Sequence, residues 1–347
     1  MKKYVATILI LFFTVNIKAQ NKIEAILHNN NWPSQENISI DIDDSQRNKT
    51  HIPVTIIKGK KQGPVFTMVA GVHGFEYPPI IAVQELLQEI DEEHLTGTLI
   101  VIPIANTAAF YNRTTFLNPQ DNLNLNRSFP GSKDGTVTQQ IAHFITTEII
   151  SNSDIFLDIH GGDANEDLLP FVCYYNNEQK PEQTKRAIEL AEASELKHIV
   201  SYPYTLKDDK PALYVFKQAV QDGKVGLSIE SGKLGNVQKE AVNLIKKGVY
   251  NMLGEMNMYK TATTSTTNNK VRVTQREYIK ATKKGIFYSK YKAGDLVNKG
   301  TIVGYTNDEF GKKIDEIKAQ HSGVILYKIG TPPVNIGDTI MCIGYSL

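Results

Sequence analysis

The chain has 347 residues, 41% of them hydrophobic and 22% charged, and a formal net charge of +1. That composition suits a globular protein with one large core and a small second domain, and it excludes a disordered or fibrous chain. A near-neutral balance without any DNA- or RNA-recognition motif offers no basic stripe for nucleic acid, so none is expected as a partner.

Met1, Lys2 and Lys3 lead into an apolar run over residues 4–15, followed by Ile17, Lys18, Ala19 and Gln20. This is the three-part layout of a secretory signal over residues 1–19, cleaved after Ala19, and it predicts an exported, periplasmic or secreted protein. The run is far shorter than the about 20 residues that cross a bilayer, and no cysteine follows it to carry a lipid. No stable membrane anchor is therefore expected in the mature chain. Loss of Lys2, Lys3 and Lys18 with the segment takes the formal charge from +1 to −2. The two cysteines, Cys173 and Cys342, permit one disulfide without requiring it. They fall in what read as different domains, which favours two buried free thiols.

Residues 21–62 are polar with short apolar alternations at 38–42 and 54–57, consistent with edge strands. Residues 64–70 read as a buried strand and 78–90 as an amphipathic helix opened by prolines, so His73 and Glu76 lie at a strand-to-helix crossing. A second apolar run at 98–105 gives way to a polar segment, 106–134, rich in Asn, Arg and Pro; unstructured stretches of that length are usually functional or disordered. Helical spacing at 138–150 precedes a third buried strand, 155–159, which ends at His160, Gly161 and Gly162. The alternation continues through 168–175, a helix at 182–196, and 198–204. A further strand at 225–229 ends in Glu230, and residues 237–258 form one long amphipathic helix.

This order predicts an α/β fold, a parallel or mixed sheet with helices on both faces, over residues 20–260. Residues 261–270 contain a low-complexity polar run and read as a linker. Beyond it, over 271–347, helical periodicity gives way to short β-like runs between turns, which predicts a small all-β module.

Three strands thus end in His73 with Glu76, in His160, and in Glu230. Zinc takes nitrogen and carboxylate donors, and a catalytic site uses three protein ligands and keeps one position for water. His73, Glu76 and His160 are candidates for such a set; the alternative is a turn histidine beside a helix-start carboxylate, and a second histidine that is a hydrogen-bonded turn residue. Asp158, two residues before His160 on the same strand face, is placed to orient its imidazole. Glu230 follows an apolar strand, where a carboxylate is either costly or employed; a general base that then acts as an acid is one reading, a salt-bridge partner the other. Arg113, Asn126 and Arg127 lie in the polar segment. A guanidinium is planar and bidentate toward carboxylates, so Asn126 and Arg127 suit a substrate carboxylate and Arg113 a developing oxyanion. A surface loop with solvated arginines is the alternative.

The joint pattern resembles the zinc-dependent succinylglutamate desuccinylase and aspartoacylase family, a branch of the carboxypeptidase A-like superfamily. It comprises His73-x-x-Glu76, then Asn124-Leu125-Asn126-Arg127-Ser128-Phe129-Pro130-Gly131, then Asp158-x-His160, then Glu230, and it covers roughly residues 50–260. The resemblance implies one zinc ion on His73, Glu76 and His160, Glu230 as base, and Asn126 and Arg127 on the substrate carboxylate. The gap from Arg113 to Asn126 is longer than in the aspartoacylases. The tail resembles the lipoyl-like barrel-sandwich module that often ends these proteins; Lys312 and Lys313 lack a carrier lysine's setting, so a cap on the active site is expected.

The function expected is an exported zinc hydrolase, a deacylase or amidase, that cleaves the amide of an N-acyl amino acid or related carboxylate. A metallocarboxypeptidase acting on peptides or cell-wall stems is the nearest alternative. A non-catalytic protein that uses the same pocket to hold a ligand is the alternative from another class.

Overall fold

A computed structural model describes residues 20–205, 207, 209–260 and 269–346. The expected signal over 1–19 and most of the expected linker, 261–268, lie outside the described residues. Among the described residues, no helix is long and apolar enough to cross a membrane.

Helix α1 (Gln20–His28) precedes strands β1 (Ser34–Asp43), β2 (Lys49–Lys58) and β3 (Lys61–Ala70). Then follow α2 (Tyr77–Glu89), β4 (Thr96–Ile102), α3 (Thr107–Asn112), α4 (Val137–Phe144), β5 (Ile155–His160), β6 (Glu166–Leu168) and β7 (Phe171–Asn176). The chain continues through α5 (Pro181–Ala193), β8 (His198–Pro203), α6 (Val215–Gln221), β9 (Val225–Glu230), α7 (Lys239–Glu255) and β10 (Val271–Val273).

These strands, except β6, form one nine-stranded sheet in the order β1-β2-β4-β3-β5-β9-β7-β8-β10. Its centre, β4, β3, β5 and β9, is parallel; β1, β2 and the β7/β9 pairing are antiparallel. The sheet is therefore mixed, as expected. Burial follows this arrangement: β5 is buried at every position, because helices cover both faces, whereas β1 alternates along the edge. Helices α2, α5 and α7 cover one face through Ile80, Leu86, Leu190, Ile245 and Val249. Helices α1, α4 and α6 cover the other through Ile23, Ile141, Val215 and Phe216. Lys58, wholly buried on β2, ties α1 down by donating from Nζ to Ile26 O at 3.0 Å, Asn29 O at 2.6 Å and Asn29 Oδ1 at 2.6 Å.

Several expectations are corrected. Of the two strands expected at an edge, only β1 lies there; β2 sits between β1 and β4. The polar stretch 106–134 contains α3 and a 3-10 turn at Leu125–Arg127, both too short for periodicity to show. Helix α4 runs on into a π-helical segment, Ile145–Ile150. Helix α7 starts at Lys239, leaving Val237 exposed.

The tail is all-β, as expected, but its first strand is not part of a separate module. β10 joins the main sheet in parallel beside β8. The remaining strands are β11 (Gln275–Lys280), β12 (Gly285–Tyr288), β13 (Leu296–Val297), β14 (Ile302–Asn307), β15 (Lys313–Lys318), β16 (Gly323–Ile329), β17 (Pro333–Val334) and β18 (Thr339–Tyr345). They make two sheets, β11-β18-β16-β13 and β15-β14-β12-β17, around a small core of Phe287, Val303, Ile325, Ile340 and Ile343. β6, from the catalytic half, extends the first of these sheets by pairing with β16. Backbone hydrogen bonding therefore joins the two halves in both directions.

Candidate metal centre and active-site cavity

Register brings the site together. Ala70 stands beside Ile159 and His160 beside Glu230, so β3, β5 and β9 end at one level. In open α/β sheets, ligands gather beyond that end of the strands. Gly71 turns the chain out of β3 at a φ of +66°, and a Cβ on Gly74 would lie 2.2 Å from the Ala109 carbonyl carbon. Only glycine allows that approach, which holds His73 over the strand ends. Glu76 occupies the N-cap of α2, yet its side chain makes no capping hydrogen bond. It turns inward instead.

Nδ1 of His73 lies 2.6 Å from Glu76 Oε1, and Nδ1 of His160 lies 2.8 Å from Glu76 Oε2. All three side chains are buried, and one donor atom from each lies within 4.8 Å of the others. The far nitrogens have acceptors: His73 Nε2 is 3.2 Å from Asn124 Oδ1, and His160 Nε2 is 2.9 Å from Asp158 Oδ2. If each Nε2 carries the proton its acceptor calls for, both Nδ1 lone pairs face carboxylate oxygens. That arrangement is repulsive until a cation sits between them, so the donor set fits a metal ion with its outer partners already in place.

The charges agree. Burial raises the Glu76 carboxyl, but the positive imidazoles of His160 and then His73 outweigh it and bring it to about 2. Burial lowers the His160 imidazole, yet Asp158 and then Glu76 hold it well above its usual value. Glu230 behaves in the opposite way. Burial pushes its carboxyl up to about 8, opposed by His160 and reinforced by Glu76 and Asp158. It makes no ion pair among the described residues.

A cavity of about 660 Å³ opens over this group, a volume typical of small-molecule sites. Its loop wall carries Phe116, Asn124, Asn126 and Arg127, and α6 adds Phe216 and Lys217. Asn126 is fixed by accepting from Val215 N at 3.0 Å, at the start of α6. Arg127 donates from Nη1 to Asn126 O at 2.6 Å, and its Cζ lies 4.3 Å from the centre of the Tyr214 ring. The rest of its fork is free to bind. The C-terminal half supplies another wall through Tyr278, Leu326, Tyr327, Thr339 and Cys342.

Every proposed site residue but one therefore lies at or lines this cavity. Arg113 does not. It closes α3 in the left-handed conformation with its side chain exposed, and Phe116 comes to the His73 ring instead, 5.5 Å away edge-on. The tight turn that ends α3 directs the guanidinium outward, so the structure does not bring the expected oxyanion partner in. Cys173 and Cys342 are both free and buried, as expected, yet both line the same cavity.

Asn124, Glu166, Tyr175 and Lys217 also line the cavity and escaped sequence reasoning. Asn124 lay inside the Asn124–Arg127 motif, and its place one turn before Arg127 was an available signal. Nothing local marked the others. Tyr202 and Tyr214 line the cavity as well, while Tyr204 packs edge-on against Tyr175 at 5.9 Å.

Comparison with known proteins agrees with this geometry. Residues 62–256 match the family model of the succinylglutamate desuccinylase/aspartoacylase catalytic domain. The chain is 30% identical over 314 residues to the N-alpha-acetyl-L-2,4-diaminobutyric acid deacetylase of Halomonas elongata, covering 88% of this chain and 89% of the relative. It superposes on succinylglutamate desuccinylase/aspartoacylase from Rhodobacter sphaeroides with a TM-score of 0.80 at 25% identity, covering 90% of this chain and 96% of that one. The product-bound ectoine utilization protein EutE (DoeB) from Ruegeria pomeroyi gives a TM-score of 0.79 at 25% identity, covering 90% and 95%. Relatives named as deacylases thus share both the sequence pattern and the fold. With the family model spanning more than half the chain, the protein belongs to the succinylglutamate desuccinylase/aspartoacylase family of deacylases.

Proposed function

We propose that this protein is an exported, zinc-dependent deacylase that hydrolyses the amide bond of an N-acyl amino acid. One observation carries the reading: two imidazole Nδ1 atoms converge on the two oxygens of one buried carboxylate, with Glu230 next to them in register. When bound to His73, Glu76 and His160, zinc supplies Lewis acidity for polarising a carbonyl and for making water acidic near neutral pH.

The chain's own residues do the rest. Arg127, placed over the Tyr214 ring, takes the substrate carboxylate with its free donors, and Asn126 supports it. Glu230 accepts a proton from the attacking water as the C–O bond forms, then passes it to the departing nitrogen as the C–N bond breaks. A carboxyl pushed toward neutral pH by burial suits both transfers. Asp158 keeps the His160 ring oriented. The oxyanion role expected of Arg113 is not part of the proposal.

The walls contributed by β11, β16 and β18 bound the cavity from a second side, which favours a small acyl-amino acid over a long peptide. Export rests on the basic start and apolar run of residues 1–19, and a mature N-terminus at Gln20 is expected. The test is a panel of N-acyl amino acids and peptides offered to the zinc-loaded mature protein. Release of amine from acyl-amino acids supports the reading; release of C-terminal residues from longer peptides alone replaces it with a carboxypeptidase.

A further inference from the structure

The reaction leaves one carboxylate in the cavity without a task. Glu166 opens β6, where it stands opposite Ile329 of β16, and its backbone oxygen accepts from Leu234 N at 2.8 Å. The backbone is thus held from two sides, and the side chain lines the cavity. Its Oε2 accepts one long hydrogen bond, 3.3 Å, from Asp163 N. Asp163 itself is fully buried, and its Oδ2 has no hydrogen-bond partner.

Neither acid has an ion-pair partner among the described residues. The neighbouring Asp167 takes the nearby cation, Lys233, at 3.0 Å, together with the Ala293 amide at 3.0 Å. Burial first, then the acidic neighbours Asp163, Glu76 and Glu230, hold the Glu166 carboxyl well above its usual range. Such a carboxyl keeps its proton until a cation arrives to pair with the ionised form, which the cation then stabilises.

The loop-and-α6 wall shows the converse. Arg127 and Lys217 line the same cavity, and neither has a carboxylate partner among the described residues. Lys217 Nζ lies 5.5 Å from the Tyr175 ring and 5.9 Å from the Tyr204 ring. The cavity therefore offers unpaired cations from one part of its wall and an unpaired carboxylate from another. A ligand that satisfies both bears a carboxylate and a positive charge.

We propose that Glu166 selects N-acyl amino acids with a cationic side chain, pairing with the side-chain ammonium while Arg127 holds the α-carboxylate. The inference rests on the deacylase reading for its substrate class. A charge-assisted hydrogen bond at such a site sets the expected preference at about 10- to 100-fold.

The experiment compares zinc-loaded wild type, Glu166→Gln and Glu166→Asp in two assays. The first is kcat/KM for Nα-acetyl-2,4-diaminobutyrate, N-acetyl-2-aminobutyrate and N-acetylaspartate. The second is calorimetric binding of free 2,4-diaminobutyrate and 2-aminobutyrate. Wild type should favour the ammonium-bearing compound in both, Glu166→Gln should reduce the ratio to within about threefold of one, chiefly through KM and Kd, and Glu166→Asp should keep part of it. Equal treatment of charged and neutral side chains by wild type, or a preference that survives in Glu166→Gln, overturns the inference. Should no acyl-amino acid be cleaved, the deacylase reading fails, while the binding ratio still decides the role of Glu166.

Discussion

Replacing Glu230 with Gln removes a charge and a proton acceptor at nearly constant volume, and activity and stability should then move apart. Positioned proton transfer is worth about 10²- to 10⁴-fold, or about 3–5 kcal/mol of barrier, so turnover should fall by that factor while zinc stays bound. Stability should behave otherwise. In the metal-free protein the Glu230 carboxyl is raised from 4.5 to about 8, chiefly by burial. Between those values the folded state holds a proton that the unfolded state has released, so stability declines as pH rises through the window, by up to about 1.4 kcal/mol per pH unit. The full shift corresponds to at most about 5 kcal/mol, and partial contact with solvent at the cavity wall scales it to roughly 2–3 kcal/mol. Glu230→Gln should remove that part of the slope and become the more stable protein near pH 8. Urea unfolding of chelator-treated wild type and variant from pH 5 to 8 measures this, alongside turnover of the zinc-loaded forms. Wild-type turnover in the variant would remove Glu230 from the chemistry; parallel stability curves would show that its carboxylate is not desolvated.

Asp158→Asn should weaken zinc binding by about 10- to 100-fold through loss of the anionic partner on His160 Nε2, read by competition with a chromophoric chelator. An unchanged zinc affinity would mean that the His160 ring is oriented by its surroundings alone. Arg113→Ala should leave kcat/KM within about threefold of wild type, because the side chain is exposed outside the cavity; a loss of about 100-fold, on the scale of a removed oxyanion donor, would restore its expected role.

The candidate metal donors were legible as a group because each follows an apolar strand and the sheet's register brings strand ends together. His73, Glu76, Asp158, His160 and Glu230 each stood beside a local signal that survived folding. Arg113 misled because sequence cannot say which arginine of an irregular segment turns inward; a six-residue helix ending in a left-handed cap decided it. Glu166 stayed invisible because its place depends on β6 pairing with β16, strands some 160 residues apart, as Tyr327↔Leu168 shows. The tail's composition revealed its β character but not its attachment. Val271–Val273 completes the main sheet only because β8 presents a free edge to it. Long-range pairing of this kind leaves little trace in the pattern of either partner.

The central claim is that His73, Glu76 and His160 hold one catalytic zinc ion. Its most direct test is metal content measured together with hydrolysis of an N-acyl amino acid, before and after chelation and readdition. About one zinc per chain, with activity lost on chelation, restored by zinc, and absent along with the metal in His160→Ala, is the predicted result. Full hydrolysis by metal-free protein, or undiminished zinc in His160→Ala, would contradict it.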